Sequence, residues 1–220
     1  MEKKADGNDK IGDFVSKACR ASGPFYYCNS GGDSALLLPS ELAEDDTARG
    51  VSDLRNVIAR AGAEGAPVMV IGEGPGAEED ARGLPFVGKA GQLLDKMLGA
   101  IGLSRTENTF ITNVNYWRPP GNRNPSDEEL ELCRPFVDRM IELGQPKLII
   151  AAGGVSAKSL LQSRVGIMKL RGSEHVLKTP GGYEAPMFPI FHPAFLLRRP
   201  EEKSRAWRDL LNIQARLESL

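Results

Sequence analysis

Four short segments of this 220-residue chain carry groups whose types and spacing could do chemistry. They are GEGPGAEED (72–80), LPFVGKAG (84–91), Thr112 with Asn113, and HPAFLLRRP (192–200). They contribute a carboxylate, an aromatic ring, an amide and an imidazole. Such a set could hold a flat polar group and stabilise charge that develops on it.

The first segment superficially resembles a glycine-rich dinucleotide turn, but its chemistry argues against phosphate binding. Pyrophosphate sites use free backbone N–H groups and positive potential. Here Pro75 removes an N–H, and residues 78–80 add three negative charges. The segment is then either an ordinary turn or a rigid loop whose backbone approaches a flat, neutral group beside the carboxylate of Glu73.

The second and third segments offer recognition groups. Phe86 is either a buried core residue, which is the default for a single aromatic, or a platform on which a base stacks. Lys89 either touches a phosphate or is simply solvated. Asn113 ends an apolar run, where Asn is usually a turn-former. Its amide also presents a donor and an acceptor together, which suits the edge of a base.

The fourth segment places His192 directly after an apolar run. A lone histidine is more often structural than catalytic, and the segment could be a plain loop entering a helix. However, two leucines and two arginines follow within the same loop. Apolar wedges beside arginine are what a protein needs to fill the space left by an extruded base.

Short apolar runs rich in β-branched residues predict the strands that position these loops, at 68–72, 109–114, 147–154 and 187–191, the last preceded by a hairpin. Helical patterns lie between them, at 91–103, 126–143, 156–162 and 200–220, with a capping box from Ser126 to Glu129. Two more helices are expected near 11–21 and from Ser52. The alternation predicts an α/β fold, three-layer α/β/α, around a mostly parallel four-stranded sheet. The loops after Ile71, Asn113 and Phe191 should then meet at one sheet edge.

Composition and charge bound the remaining possibilities. Net charge is −1, yet residues 1–50 hold 6 basic and 9 acidic side chains while the rest holds 22 and 20. We expect a flexible or peripheral segment at 1–50 and one domain at 51–220. No apolar run suggests a membrane span, and no signal-like core precedes the domain. A cytoplasmic monomer is the expectation, in contact with the genome if it acts on DNA. The three dispersed cysteines suggest neither disulfides nor a metal site.

Taken together, these segments resemble the family-4 type of uracil-DNA glycosylase. The resemblance rests on the segments above with ITNVNYWRPPGNRNPSDEELELCRPF and GGVSAKSLL, in the same order, and covers about residues 66–215. It implies an enzyme that flips uracil out of DNA and hydrolyses its N-glycosidic bond, so that uracil-containing DNA, single- or double-stranded, is the expected partner.

The resemblance also implies a role for individual residues. Gly72, Glu73, Gly74, Pro75 and Gly76 would form the floor of the uracil pocket, Phe86 would stack on the base, and Asn113 would read its edge. His192, neutral, would donate to uracil O2 as negative charge grows there, while Glu73, or Glu79 as a second candidate, would stabilise the cationic sugar or position water. DNA contacts would come from Lys89, Ser156, Leu196, Leu197 and Arg198.

Two departures from the family pattern have consequences. The family usually holds an iron–sulfur cluster on four cysteines, but only Cys133 stands at a matching place, and Trp117 occupies another. One thiolate cannot hold a cluster, so we predict none, with Trp117 packed in the vacated space. Gly74 stands where the family more often has Ala, and the catalytic Asp and the thymine-excluding Tyr of a better-known branch are absent.

Three alternatives to a uracil-specific enzyme therefore stay open. One is a catalytically weak or inactive member that binds uracil or abasic DNA without turnover. Another is a glycosylase of broader base specificity, which also acts on hypoxanthine or thymine mispairs. The last is a nucleotide-dependent α/β enzyme, against which Pro75 and the acidic run argue.

Overall fold

The structure is a computed structural model and describes residues 60–63 and 65–220. Its strands are β1 (Arg60–Gly62), β2 (Val68–Gly72), β3 (Thr109–Asn113), β4 (Leu148–Ala152), β5 (His175–Lys178) and β6 (Glu184–Ile190). Its helices are α1 (Ala77–Arg82), α2 (Lys89–Gly99), α3 (Asp127–Gly144), α4 (Gly154–Leu161), α5 (Ile167–Leu170), α6 (Pro193–Arg198) and α7 (Lys203–Leu217). Single 3₁₀ turns cover Pro120–Asn122 and Pro200–Glu202. The segment 1–50 and the two helices predicted before residue 60 lie outside the described residues.

One six-stranded sheet, in the order β1-β3-β2-β4-β6-β5, organises the fold. Its four inner strands are parallel, whereas β1 pairs with β3 and β5 pairs with β6 in antiparallel fashion. The predicted α/β class and four-stranded parallel core are confirmed, with two short edge strands added. Strands β2, β3 and β4 are buried at every position because helices cover both faces.

Two apolar clusters, one on each face of the sheet, hold the three layers together. One face packs α3 and α4 against the sheet through Cys133, Val137, Ile141 and Leu160. The other packs α2 and α7 through Leu94, Leu98, Leu210 and Ile213. Within the described residues, no helix is both long enough and apolar enough to cross a lipid bilayer.

Three short helices, α1, α5 and α6, were not expected from the sequence, and α1 and α6 flank the site. Helix α1 forms from the acidic run because Glu78, Glu79 and Asp80 occupy its first turn, where the helix dipole favours negative charge. Helix α6 begins with Pro193, which suits a first helical position, and His192 is its N-cap. The capping box of Ser126 and Glu129 at the start of α3 is present as predicted.

Candidate active site

The loops that follow β2, β3 and β6 meet at one edge of the sheet, as the topology predicts. The ends of β2 and β3 stay joined beyond the strands, because the N–H of Asn115 donates to the carbonyl of Glu73 (3.0 Å). A cavity of about 370 Å³ opens there. Eight predicted site residues line it: Glu73, Gly74, Pro75, Gly76, Glu79, Phe86, His192 and Arg198.

Phe86 lies in this cavity in a strained backbone conformation. Its φ of 54° falls in the left-handed region that non-glycine residues rarely adopt, and such strain clusters at functional sites. Its ring centroid lies 5.6 Å from that of His192, with the ring planes inclined by 29°. Arg105 holds the segment by donating from Nη2 to the carbonyl of Phe86 (2.8 Å). The two aromatic groups predicted to grip and polarise a base therefore share one cavity.

Glu79 accepts three backbone hydrogen bonds in holding this loop, which favours a positioning role over the catalytic role expected for it as a second candidate. Its Oε1 accepts the N–H groups of Val87 (3.0 Å) and Gly88 (2.9 Å), and its Oε2 accepts that of Gly76 (3.1 Å). The carboxylate thus ties the 72–76 loop to the loop of Phe86. Its geometry is that of a positioning residue.

His192 is placed by the start of α6 and by the loop after β4. Its Nδ1 accepts the N–H of Ala194 (3.2 Å), so the ring proton of the neutral form is on Nε2. Burial lowers the pKa of His192 to about 4, with the positive charge of Arg198 acting in the same direction. Gly153, at φ 106°, packs against the ring, where a β-carbon would come within 3.0 Å of the His192 Cβ. The imidazole is therefore neutral at pH 7 and offers one fixed N–H donor.

Glu73 lines the cavity together with Glu79, but its carboxylate is not one that ties the two loops together. Burial raises its pKa above the ordinary value for a glutamate, and the nearby charge of Arg198 partly opposes that rise. A partly desolvated carboxylate interacts more strongly with a nearby cation than an exposed one does.

Asn113 and Gly72 lie behind the cavity wall rather than on its lining. Asn113 is 1% exposed, and its Oδ1 has no hydrogen-bond partner within the described part of the chain. Buried polar atoms are nearly always paired, so an orphaned amide oxygen calls for an explanation such as a ligand or a water. Asn113 therefore keeps an acceptor free beside Phe86.

The predicted DNA contacts divide into exposed and buried residues. Lys89, Leu197 and Arg198 are exposed, and Leu197 retains 44% of its surface. Two predictions are wrong. Ser156 is fully buried and donates its hydroxyl to the carbonyl of Ile71 (2.6 Å), so it cannot hold a phosphate. Leu196 is 1% exposed and packs in the core, because it lies on the buried side of α6, which packs against α2.

A further cavity wall comes from the loop between β3 and α3. The sequence predicts that this loop reaches the site edge, but not which of its residues line the cavity. This loop contributes Pro119, Asn122, Arg123, Asn124 and Pro125 to the lining. Its position after β3 was the available signal, because ligand-binding loops follow the carboxyl ends of parallel strands. Gly153 was likewise missed, although two glycines directly after a strand mark a close backbone approach.

The region around Cys133 is filled by side chains. Cys133 and Trp117 are 1% and 2% exposed and belong to one apolar cluster. Burial raises the pKa of Cys133 to about 12, and its thiol contacts the Oδ1 of Asn115 (3.5 Å). Among the described residues, no three His, Cys, Asp or Glu side chains are grouped so as to hold a metal ion.

Comparison with known proteins points to one family. A family model described as "Uracil DNA glycosylase superfamily" matches residues 59–212. The chain is 39% identical over 165 residues to a type-4 uracil-DNA glycosylase of Sulfurisphaera tokodaii, covering 72% of this chain and 74% of the relative. Proteins of the same name from Pyrobaculum aerophilum (40% over 149 residues; 65% and 74% covered) and Thermotoga maritima (38% over 151 residues; 68% and 76% covered) are also similar. The chain belongs to the uracil-DNA glycosylase superfamily.

Proposed function

We propose that this chain is a monofunctional uracil-DNA glycosylase, which flips uracil out of DNA and hydrolyses its N-glycosidic bond in base excision repair. The observation that carries the proposal is the shared cavity of Phe86 and His192, with the unpaired amide oxygen of Asn113 beside it. A ring to stack on, an amide to read an edge and a neutral N–H donor are what an extruded pyrimidine requires.

Recognition in this proposal uses Phe86 and Asn113. The uracil ring stacks on Phe86, whose orientation is held by Glu79 and Arg105. The free Oδ1 of Asn113 accepts the N3–H of uracil, and its amide nitrogen donates to O4. The backbone of residues 73–76 approaches the base closely at the cavity floor.

Catalysis in this proposal is mainly electrostatic. The bond between C1′ and N1 breaks first, which leaves a cationic sugar and a uracil anion. Water then adds to C1′, and the proton that it loses is balanced by protonation of the uracil anion, which gives the hydroxyl sugar and neutral uracil. The Nε2–H of His192 donates to O2 as negative charge develops there. Glu73 stabilises the cation or positions the water. Because His192 is already neutral and oriented, no proton has to move onto it during the reaction.

The residues at the place of the family's iron–sulfur cluster do not fit such a group. The chain has three cysteines, one fewer than the four that a cluster takes, and the thiol of Cys133 is turned to Asn115. We therefore propose that the enzyme works without a cluster, and no step above depends on one. A preparation without absorbance near about 400 nm supports this, and a brown protein would contradict it.

The proposal also covers how the protein contacts DNA, its oligomeric state and its location in the cell. The exposed Lys89, Leu197 and Arg198 suit DNA at the cavity mouth, with Leu197 near the vacated stack. We propose a monomer that accepts single- or double-stranded DNA. We also propose that the protein works in the cytoplasm, in contact with the nucleoid through its DNA substrate.

Incubation with a uracil-containing oligonucleotide, followed by alkali and a denaturing gel, tests the proposal. We expect strand cleavage at the uracil position only, and release of free uracil. Parallel oligonucleotides with a thymine mispair or hypoxanthine test for broader choice. Tight binding of uracil-DNA without any released uracil would instead identify the inactive alternative.

A further inference from the structure

We infer that Glu129 is a positioning residue that holds one wall of the cavity through a latch formed with Trp117, Arg123 and Ser126. This inference rests on the proposed function for its kinetic test, but its geometry is independent of it. The latch joins the loop at 118–125 to the first turn of α3.

The carboxylate of Glu129 is saturated with donors. Arg123 donates from Nη1 to Oε2 (2.6 Å) and from Nη2 to Oε1 (2.9 Å), a paired arrangement that fixes the guanidinium plane. The N–H of Ser126 donates to Oε2 (2.7 Å), and the indole N–H of Trp117 donates to Oε1 (3.3 Å). The side chain of Glu129 is only 8% exposed, so these bonds are partly shielded from water.

The wall that this latch holds contains little regular secondary structure. Between β3 and α3 the loop contains a single 3₁₀ turn, Pro120–Asn122. Arg123, besides its pair with Glu129, donates to the carbonyl of Asn124 (2.9 Å), so the latch reaches the backbone that faces the cavity. An irregular loop without ladder bonds needs such side-chain contacts to keep one conformation.

The base of the latch lies in the protein interior. Trp117 is buried beside Cys133, and its carbonyl accepts the amide N–H of Asn115 (2.7 Å). Asn115 in turn is joined to Glu73 on the opposite wall through the backbone bond described above. The two walls of the cavity are therefore linked through one buried chain of contacts.

This arrangement separates binding from chemistry. His192 and Glu73 stand on the loops after β6 and β2, not on the latched loop. Releasing the wall should weaken capture of the flipped base while leaving the reacting groups in place. The expected signature is a higher half-saturating enzyme concentration with little change in the saturating single-turnover rate.

Glu129→Ala tests the inference, with Glu129→Gln as the conservative variant and Glu131→Ala, exposed on the same helix, as the matched control. We expect Glu129→Ala to raise the half-saturating enzyme concentration by about tenfold or more, with a saturating rate within about threefold of the parent. Glu129→Gln, which keeps one carbonyl acceptor, should show a smaller rise, and Glu131→Ala should show none.

A spectroscopic measurement separates this inference from the proposed function. Trp117 and Trp207 are the two tryptophans, so in a Trp207→Phe background the emission reports on Trp117 alone. Glu129→Ala should shift that emission to the red even without DNA, and even if the parent releases no uracil. Unchanged emission, unchanged half-saturation, or equal losses in rate and half-saturation would each overturn the inference. If Glu129→Ala does not fold, Glu129→Gln and Arg123→Ala are judged by the same criteria.

Discussion

The ring of Phe86 occupies the space into which a side chain on Gly72 would project. A β-carbon on Gly72 would overlap the edge of that ring and would lie 2.5 Å from the Oδ1 of Asn113. The ring of Phe86 and the side-chain amide of Asn113 can meet at the end of β2 only because Gly72 carries no side chain. Gly74, two residues further on, has no such restriction, since its β-carbon would lie 3.5 Å or more from Asn115.

Alanine substitutions at these two glycines should therefore differ sharply. Gly72→Ala must displace Phe86 or Asn113, and we expect a loss of about 10²-fold in the single-turnover rate on uracil-DNA, as misplaced groups commonly cause. Gly74→Ala, the residue more usual in the family that this sequence resembles, should keep the rate within about threefold, since no atom has to move. Equal rates in the two variants would contradict the packing described here.

His192→Ala should slow uracil release by about 10²–10³-fold, because it removes one preorganised donor at the developing anion. The second histidine offers a control. His175 contacts the carbonyl of Leu170 away from the cavity, so His175→Ala should leave the rate near that of the parent. Circular dichroism should show both variants folded. An unchanged rate in His192→Ala would remove the histidine from the mechanism.

The pH dependence follows from the direction of the His192 shift. The pKa of His192 in the folded chain is about 4, below the ordinary value of 6.5. The ring therefore stays neutral when the pH passes through 6.5, and the rate should show no inflection near pH 6.5. The unfolded chain takes up the proton first as pH falls. Stability linked to His192 is therefore present above 6.5 and is lost as pH falls towards 4. Thermal melts of the parent and His192→Ala should converge across this window, and parallel curves would show that the pKa is not lowered.

Phe86→Ala should weaken binding of the flipped base by roughly 1–3 kcal/mol, the usual value of one aromatic stacking contact. Phe86 also packs in the apolar cluster with Leu94, so Phe86→Leu is the companion variant, which restores apolar volume without a flat face. Both variants should lose activity on uracil-DNA in single-turnover assays, while only the alanine should lower the melting temperature strongly. Normal activity in Phe86→Ala would make Phe86 a core residue only.

Leu196 and Leu197 form a natural pair of neighbours with opposite exposure. Leu196→Ala empties a buried site and should reduce the free energy of unfolding by about 2–5 kcal/mol. Leu197→Ala, at a site 44% exposed, should leave stability unchanged but reduce uracil release from double-stranded DNA more than from single-stranded DNA. Urea melts and gel assays on both substrates distinguish the two, and a stability loss confined to Leu197→Ala would contradict the described burial.

Much of the site could be predicted because it depends on local order along the chain. Phe86, His192 and residues 73–76 each stand next to an element whose period is visible in the sequence, and parallel strands bring their following loops to one edge. The burial of Ser156 and Leu196 could not be predicted in this way. Their motifs place both residues near the site. Whether a side chain on a short helix points into the cavity or into the core depends on which face of that helix packs against the rest of the protein.

The sequence by itself determined the α/β class, the order of the site loops and the shortage of cysteines for a cluster, since these follow from periodicity, spacing and composition. Only the tertiary structure decided that Glu79 ties two site loops together, that burial lowers the pKa of His192, and that Glu129 accepts hydrogen bonds from both Trp117 and Arg123. The physical reason is that burial, hydrogen-bond partners and the resulting pKa values arise from contacts between distant segments, which a linear pattern does not contain.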